Sequence, residues 1–310
     1  MKYCIGIDIG GTTVKMALFA ETGDMLDKWE IITHTENEGV TILADIAESV
    51  NGKLVEHKIE KSQVIGGGIG VPAPVSDEGI VNGSANLGWK YKEVKKEAEE
   101  KLGFKVAVGN DANVAALGEM WKGGGMGYQN LIMVTLGTGV GGGLIYKEKI
   151  INGTNGAGGE IGHICVNYDE EEICGCGNRG CLEQYSSATG IVRLAKKRLA
   201  KDHADTVLRK QEVTAKAVFD AVKEHDAVAC EIVEEVSRYL GYALANFAAI
   251  LDPEVVVIGG GVSKAGTVIL DYVQKYYDDR VFFVNDKVKF VLATLGNDAG
   301  VYGAAKLVLE

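Results

Sequence analysis

The sequence predicts an α/β protein made of two related halves. Strand-like apolar runs alternate with amphipathic helical patterns along the chain, as in sheets that are covered by helices. A strand-like run, a Gly/Thr turn and a second strand-like run open the chain, and the same order returns after residue 130. The length of 310 residues also exceeds the roughly 100 to 200 residues of one typical domain.

The composition is that of an acidic globular protein, with 46% hydrophobic and 24% charged residues. The formal net charge of -11 opposes nonspecific attraction to nucleic acid or anionic lipid, since both are negative. No run approaches the roughly 20 apolar residues of a membrane-spanning helix, and no signal-peptide pattern precedes the strand-like run at Tyr3. We therefore expect a cytoplasmic protein that binds neither nucleic acid nor membrane.

The first hairpin has the chemistry of a phosphate-binding turn. Residues 3–9 and 14–19 are strand-like, and between them lie Gly10, Gly11, Thr12 and Thr13. Glycine lets backbone N–H groups approach phosphate oxygens closely, and threonine hydroxyls add donors. Asp8 is suited to hold Mg²⁺ at the end of the first strand, and Lys15 adds positive charge.

Two further turns repeat this chemistry. Residues 131–135 and 140–146 flank Gly137, Thr138 and Gly139, and Thr135 takes the position of Asp8. A third turn, Gly259, Gly260 and Gly261, follows the β-branched run 255–258. Any single glycine turn can simply connect two strands, and neither a Walker A lysine nor a dinucleotide fingerprint is present. The combination of three such turns favours a nucleotide site.

Helical patterns separate the predicted strands, at residues 92–102, 112–121, 188–201, 215–251 and 299–309. The basic face of 188–201 fits a solvated surface better than a nucleic-acid patch in so acidic a chain. We place the first lobe at residues 1–117 and a larger second lobe at residues 118–298, which includes a loop with His163, Cys174, Cys176 and Cys181 that we expect to bind zinc. The C-terminal helix, within residues 299–310, is expected to pack on the first lobe.

Asn110 and Asp111 follow a β-branched run and precede a predicted helix. Asp111 suits two roles that do not exclude each other. It can cap the helix, and a carboxylate at the end of a strand can accept a proton from a substrate hydroxyl.

A Cys/His cluster lies further along the chain. Cys174, Cys176 and Cys181 fall within eight residues, and His163 precedes them. Three cysteines and one histidine suit a tetrahedral site for a structural zinc ion, with no coordination position left open. Clustered cysteines can also be free thiols. A metal ion would connect the loop of Glu160 to the segment of Glu183, and the carboxylates of both residues can accept hydrogen bonds from the hydroxyls of a substrate.

Four segments together resemble the ROK family of repressors, open reading frames and sugar kinases. They are residues 8–12, 110–111, 159–163 and 174–183, of which the cysteine segment is the most specific. The three glycine turns resemble the phosphate 1, phosphate 2 and adenosine motifs of the wider actin, Hsp70 and sugar kinase superfamily. One departure is Ala73, where the family often has glycine.

The resemblance implies a two-domain actin-like ATPase fold, of the duplicated ribonuclease H-like type, with a cleft between the lobes. It also implies ATP-dependent phosphorylation of the 6-hydroxyl of glucose, as a step of glycolysis, with ATP, Mg²⁺ and a structural Zn²⁺. Family members are usually homodimers or homotetramers. In the family, the residue that matches Asp111 is the catalytic base, and those that match Asn86, Asn110, Glu160, His163 and Glu183 contact the sugar. The residues that match His163, Cys174, Cys176 and Cys181 bind zinc.

Two alternatives stay open. The sugar can be another hexose, such as fructose, mannose, N-acetylmannosamine or N-acetylglucosamine, because these sugars differ by single substituents. The chain can also be a sugar-sensing regulator without catalysis. It begins at the first strand, without the DNA-binding segment of ROK repressors, and keeps the phosphate turns, which favours a kinase.

Overall fold

A computed structural model describes residues 1–309. Within these residues the strands are β1 (Tyr3–Ile9), β2 (Thr13–Ala20), β3 (Met25–Ile32), β4 (Val64–Val71), β5 (Ile80–Val81), β6 (Lys92–Glu93), β7 (Val106–Asn110), β8 (Leu131–Leu136), β9 (Val140–Tyr146), β10 (Lys149–Ile150), β11 (Val255–Gly259) and β12 (Lys289–Leu292). The helices are α1 (Glu36–Gly39), α2 (Ile42–Glu56), α3 (Val94–Leu102), α4 (Asp111–Lys122), α5 (Glu183–Ser186), α6 (Ala188–Lys201), α7 (Ala215–Lys223), α8 (Ala227–Leu251), α9 (Thr267–Arg280) and α10 (Ala299–Lys306).

Two five-stranded sheets are built in the same way. The first has the order β3-β2-β1-β4-β7 and the second β10-β9-β8-β11-β12. In the first sheet, β1 to β3 pair antiparallel, while β4 pairs parallel with both β1 and β7. In the second, β11 pairs parallel with both β8 and β12. The prediction of an α/β protein with two related halves is therefore confirmed.

The chain forms two compact units. One comprises residues 1–127, 143–159 and the segment that begins at Leu295, and the other comprises residues 128–142 and 160–294. We refer to them as unit 1 and unit 2. The division into lobes at residues 1–117 and 118–298 stays a prediction.

Helix α10 packs directly on the first sheet because glycines remove the side chains between them. A Cβ atom at Gly6 of β1 would lie 2.0 Å from the carbonyl oxygen of Val301, and one at Gly68 of β4 would lie 1.7 Å from that of Ala304. Gly303 of α10 approaches Val114 of α4 equally closely. These contacts hold α10 against β1, β4 and α4.

The predicted helix bounds differ from the structure where local backbone chemistry intervenes. Residues 92–93 form a short strand before α3, and the region 215–251, for which the sequence predicts one or two helices, forms two. His225 adopts a positive φ of 59° between α7 and α8, and Asp226 caps α8 through the backbone N–H of Ala229. Helix α6 has its predicted bounds.

Among residues 1–309, no helix is both long enough and apolar enough to cross a membrane.

Candidate active site

The carboxyl edge of the first sheet brings Asp8 and Asp111 close together. Asp8 of β1 pairs with Gly70 of β4, and Gly70 pairs with Gly109 of β7. A Cβ atom at Gly70 would lie 3.6 Å from Oδ1 of Asp8 and 3.7 Å from Cα of Asp111. The two acidic residues therefore flank Gly70 at the edge where α/β folds bind ligands.

Asp8 lies in a crowded environment. A Cβ atom at Gly300, in the first turn of α10, would lie 2.5 Å from Cγ of Asp8. Burial raises the pKa of the Asp8 carboxyl, and the positive charge of Lys15 opposes that rise. The Nζ atom of Lys15 donates to the carbonyl oxygen of Asn297 at 3.4 Å. Burial outweighs the charge of Lys15, so the pKa of Asp8 lies above its ordinary value.

The first glycine turn is held by one hydrogen bond within the turn and by two from Thr33. The N–H of Gly10 donates to the carbonyl oxygen of Thr13 at 3.0 Å. Thr33, just after β3, donates its hydroxyl to the carbonyl oxygen of Gly10 at 2.7 Å and its N–H to that of Thr12 at 2.9 Å. A Cβ atom at Gly11 would lie 3.4 Å from the carbonyl oxygen of Asn86, which places Asn86 beside this turn.

Asn110, and not Asp111, caps helix α4. The side chain of Asn110 accepts the N–H groups of Ala112 and Asn113 at 3.0 and 3.1 Å. Its Nδ2 donates to the carbonyl oxygen of Ala73 at 3.2 Å. The capping interpretation of Asp111 is therefore wrong, because α4 begins one residue earlier than the sequence predicts. Asp111 lies in the first turn of α4, where its Oδ1 accepts the N–H of Ala112 at 2.8 Å.

The departure at Ala73 leaves the backbone unstrained. Ala73 is buried and has no positive φ, so its position does not demand glycine. Its carbonyl oxygen is the acceptor for Asn110.

Asn113 connects α4 to the loop before Glu160. Its Nδ2 donates to the carbonyl oxygen of Gly158 at 2.9 Å, and the residue is 1% exposed. Gly158 has no room for a side chain, since a Cβ atom there would lie 2.1 Å from the carbonyl oxygen of Ile151. The loop is thus fixed in unit 1 two residues before Glu160.

The second glycine turn lies in unit 2 and closes in a similar way. The N–H of Gly137 donates to the carbonyl oxygen of Gly139 at 3.0 Å. Thr189 donates its hydroxyl to the carbonyl oxygen of Thr138 at 2.8 Å. Oε2 of Glu183 accepts the N–H of Val140 at 3.0 Å.

The third glycine turn borders the second one. Thr135 of β8 pairs with Gly259 of β11. Gly260 has φ 83°, and a Cβ atom there would lie 2.5 Å from the carbonyl oxygen of Leu136, immediately before the second turn. Gly261 lines a cavity of about 360 Å³ in unit 2. The other residues that line it are Ala188, Thr214, Ala215, Lys216, Phe219, Asp220, Lys223, Val262, Lys264 and Ala265.

The four predicted zinc ligands form one cluster. His163, Cys174, Cys176 and Cys181 each offer a ligand atom, and these atoms all lie within 4.8 Å of one another. Sγ of Cys176 and Sγ of Cys181 are 3.6 Å apart, and Nδ1 of His163 lies 3.9 Å from Sγ of Cys174. Three thiols and one imidazole at this spacing fit a closed tetrahedral Zn²⁺ site.

Glu160 and His163 belong to one short segment of unit 2. The N–H of His163 donates to the carbonyl oxygen of Glu160 at 3.2 Å, across the 3₁₀ turn Ile161–His163. A Cβ atom at Gly162 would lie 2.0 Å from the carbonyl oxygen of Val140. Glu160 is exposed and His163 half-buried. This segment therefore packs beside the second glycine turn.

The predicted site residues thus form two groups. Unit 1 holds Asp8, Gly10, Gly11, Thr12, Thr13, Lys15, Asn86, Asn110 and Asp111; unit 2 holds Thr135, Gly137, Thr138, Gly139, Glu160, His163, Glu183, Gly259, Gly260, Gly261 and the three cysteines. Sequence reasoning missed Thr33, Asn113 and Thr189. Their partners lie 23, 45 and 51 residues away along the chain, and no local pattern marks such contacts.

Comparison with known proteins relates this site to a family. A model of the ROK family matches residues 4–310. A glucokinase of Halalkalibacterium halodurans is 44% identical over 316 residues, which covers 100% of this chain and 96% of that protein. A glucokinase of Streptomyces coelicolor is 36% identical over 320 residues, which covers 100% of this chain and 98% of that protein.

The fold agrees with solved structures. The crystal structure of a ROK family glucokinase from Streptomyces griseus in complex with glucose and AMPPNP matches with a TM-score of 0.75 and 35% identity, over 98% of both chains. This match confirms the predicted actin-like ATPase fold. The family model and the full-length relatives give one conclusion: the protein is a member of the ROK family.

Proposed function

We propose that this protein transfers the terminal phosphoryl group of ATP to the 6-hydroxyl of glucose. The observation that carries the proposal is the 44% identity to a glucokinase along the whole chain. The geometry supports it, because two acidic residues flank Gly70 at a ligand-binding edge and glycine turns with threonine hydroxyls lie in both units. The protein is therefore an ATP-dependent glucose kinase.

Asp111 is the proposed general base. Its carboxylate takes the proton of the 6-hydroxyl while that oxygen bonds to the γ-phosphorus, and the bond from the γ-phosphorus to the bridging oxygen breaks to release ADP. Asn110 holds the first turn of α4, because its side chain caps the helix and reaches Ala73. Asp111 is thus fixed on a rigid helix start.

The sugar is proposed to contact Asn86, Asn110, Asp111, Glu160, His163 and Glu183. The amide, carboxylate and imidazole groups of these side chains can form hydrogen bonds with several sugar hydroxyls at once. The positions of these hydrogen bonds distinguish one hexose from another. Asn113 helps to position Glu160, because its side chain bonds to Gly158 in the loop just before Glu160.

The nucleotide is proposed to lie along the three glycine turns. Backbone N–H groups of the first and second turns bind the phosphates, and the cavity beside Gly261 receives the adenosine. Phe219, Val262 and Ala265 give that cavity apolar walls, while Lys216 and Lys264 add donors.

Two metal ions fit the residues present. Asp8 offers a carboxylate at the sheet edge for Mg²⁺, which would supply positive charge for the phosphates. His163, Cys174, Cys176 and Cys181 would hold Zn²⁺, which would fix the loop without entering the chemistry. A homodimer or homotetramer, a cytoplasmic location and a place in glycolysis stay predictions.

Sugar-dependent ADP formation tests the proposal. Purified protein with ATP and Mg²⁺ is assayed with glucose, fructose, mannose, N-acetylmannosamine and N-acetylglucosamine. We expect the highest kcat/KM for glucose and a loss of at least about 10²-fold in kcat for Asp111→Asn. Asp205→Asn makes the same chemical change at an exposed position and should keep full activity. Sugar binding without turnover in folded protein would instead identify a sugar-sensing regulator.

A further inference from the structure

The segment that follows the last cysteine is bonded directly to the second glycine turn. The N–H of Ala188 donates to the carbonyl oxygen of Gly137 at 2.8 Å, and the hydroxyl of Thr189 donates to that of Thr138, also at 2.8 Å. Glu183 accepts the N–H of Val140 at 3.0 Å. The carbonyl oxygens of Gly137 and Thr138 and the N–H of Val140 are therefore all held by one stretch of seven residues, 183–189.

These bonds determine which way the turn presents its donors. In a planar trans peptide, the C=O of one residue and the N–H of the next point in opposite directions. Bonds to the carbonyl oxygens of Gly137 and Thr138 therefore turn the N–H groups of Thr138 and Gly139 away from α6. Those two N–H groups are the ones that a phosphate group would use.

The same stretch is bonded to the cysteine cluster. Oε1 of Glu183 lies 3.8 Å from Sγ of Cys174. The N–H of Cys181 donates to Oε1 of Gln184 at 3.1 Å. Ser187 donates its hydroxyl to the carbonyl oxygen of Glu183 at 2.6 Å and lies 2.9 Å from the hydroxyl of Thr189. A continuous set of contacts thus runs from the cysteines to the second glycine turn, all of it within unit 2.

We propose that Thr189 and Glu183 are positioning residues for the ATP phosphates, and that the Cys/His cluster supports nucleotide binding through them. The inference rests on the proposed function, because that function assigns the second turn to phosphate. The proposed function gives the Cys/His cluster only the role of fixing its own loop. The inference adds a role in holding the second glycine turn.

The first test measures nucleotide affinity without sugar. Binding of AMPPNP with Mg²⁺ is followed by calorimetry for wild type, Thr189→Val and Thr189→Ser, and glucose binding is measured separately. Valine keeps the shape of threonine but loses the donor, so we expect about tenfold weaker AMPPNP binding with unchanged glucose binding. Serine restores the hydroxyl and should restore affinity.

The control and the contrary outcomes are distinct. Thr267→Val changes another exposed threonine in the first turn of a helix of unit 2, and it should bind AMPPNP like wild type. An unchanged AMPPNP affinity in Thr189→Val would overturn the inference and leave the kinase intact. An equal loss of glucose affinity would show a general structural defect and overturn it as well. A wild type that binds no AMPPNP would overturn the proposed function too.

The second test concerns the cluster. Cys176→Ser should lower the zinc content found by elemental analysis and weaken AMPPNP binding by about tenfold, in protein shown to be folded by circular dichroism. Cys230→Ser removes a thiol outside the cluster and should change neither quantity. Loss of zinc with wild-type AMPPNP affinity would contradict the proposed link, and the Thr189 variants test the turn even if Cys176→Ser does not fold.

Discussion

The two glycine turns of the duplicated fold have the same chemistry but different supports. In each, a glycine N–H closes the turn onto a carbonyl oxygen at 3.0 Å, and a threonine hydroxyl holds a carbonyl oxygen from behind, at 2.7 Å for Thr33 and 2.8 Å for Thr189. Thr33 follows a strand of the first sheet, whereas Thr189 begins a helix just after the cysteine cluster. The two turns therefore share their hydrogen bonding but are anchored by different elements.

The residues before the turns differ as well. Asp8 is the last but one residue of β1 and lies in a half-buried, crowded position beside Gly300, whereas the corresponding position in β8 is Thr135, which pairs with Gly259 of the third turn. A carboxylate can hold a cation, and a threonine cannot supply that charge. We therefore expect the position before the first turn to need a carboxylate and the position before the second turn to need none.

The largest expected effect therefore comes from exchanging the residue before each turn. Asp8→Asn should lower kcat/KM for ATP by at least about 10²-fold, because the Mg²⁺-phosphate charge loses its carboxylate partner. Thr135→Val should cost less than about threefold. Steady-state kinetics at saturating glucose measure both, and equal losses would refute this difference between the two positions.

A smaller effect is expected from the threonine that anchors the first turn. Thr33→Val removes the donor to Gly10 and should raise KM for ATP by about tenfold, with serine at position 33 restoring it. Because Thr33 is remote from the cysteines in the chain and belongs to unit 1, zinc content should stay at the wild-type level. A fall in zinc content together with the rise in KM would mean that the two supports are not independent.

Local sequence patterns predicted the turns well and their supports poorly. The strands around Gly10 to Thr13 and around Gly137 to Gly139 follow from apolar periodicity and turn chemistry, and α6 has its predicted bounds. The sequence predicts that α4 starts at residue 112, which makes Asp111 its cap, whereas the backbone angles of Asn110 place the cap one residue earlier. Thr33 and Thr189 act over distances along the chain that no short pattern records.

The smallest expected effect concerns an ion pair near the cysteine loop. Burial raises the pKa of Glu170, but hydrogen bonds from Tyr185 and Arg193 outweigh it and lower that pKa to about 2. A carboxyl with a lowered folded pKa stabilises the protein above its unfolded pKa of about 4.5, and the contribution disappears as the pH falls toward about 2.

Glu170→Gln should therefore lower Tm by about 2–4 °C at pH 7, and the difference from wild type should shrink steadily between about pH 4.5 and pH 2. Thermal unfolding of both proteins across this range measures it. Glu171→Gln is the matched control, because the neighbouring glutamate is exposed. A Tm difference that does not change with pH would show that the charge of Glu170 contributes nothing to stability. The contacts around the cysteine loop would then stabilise the second half through packing and neutral hydrogen bonds alone.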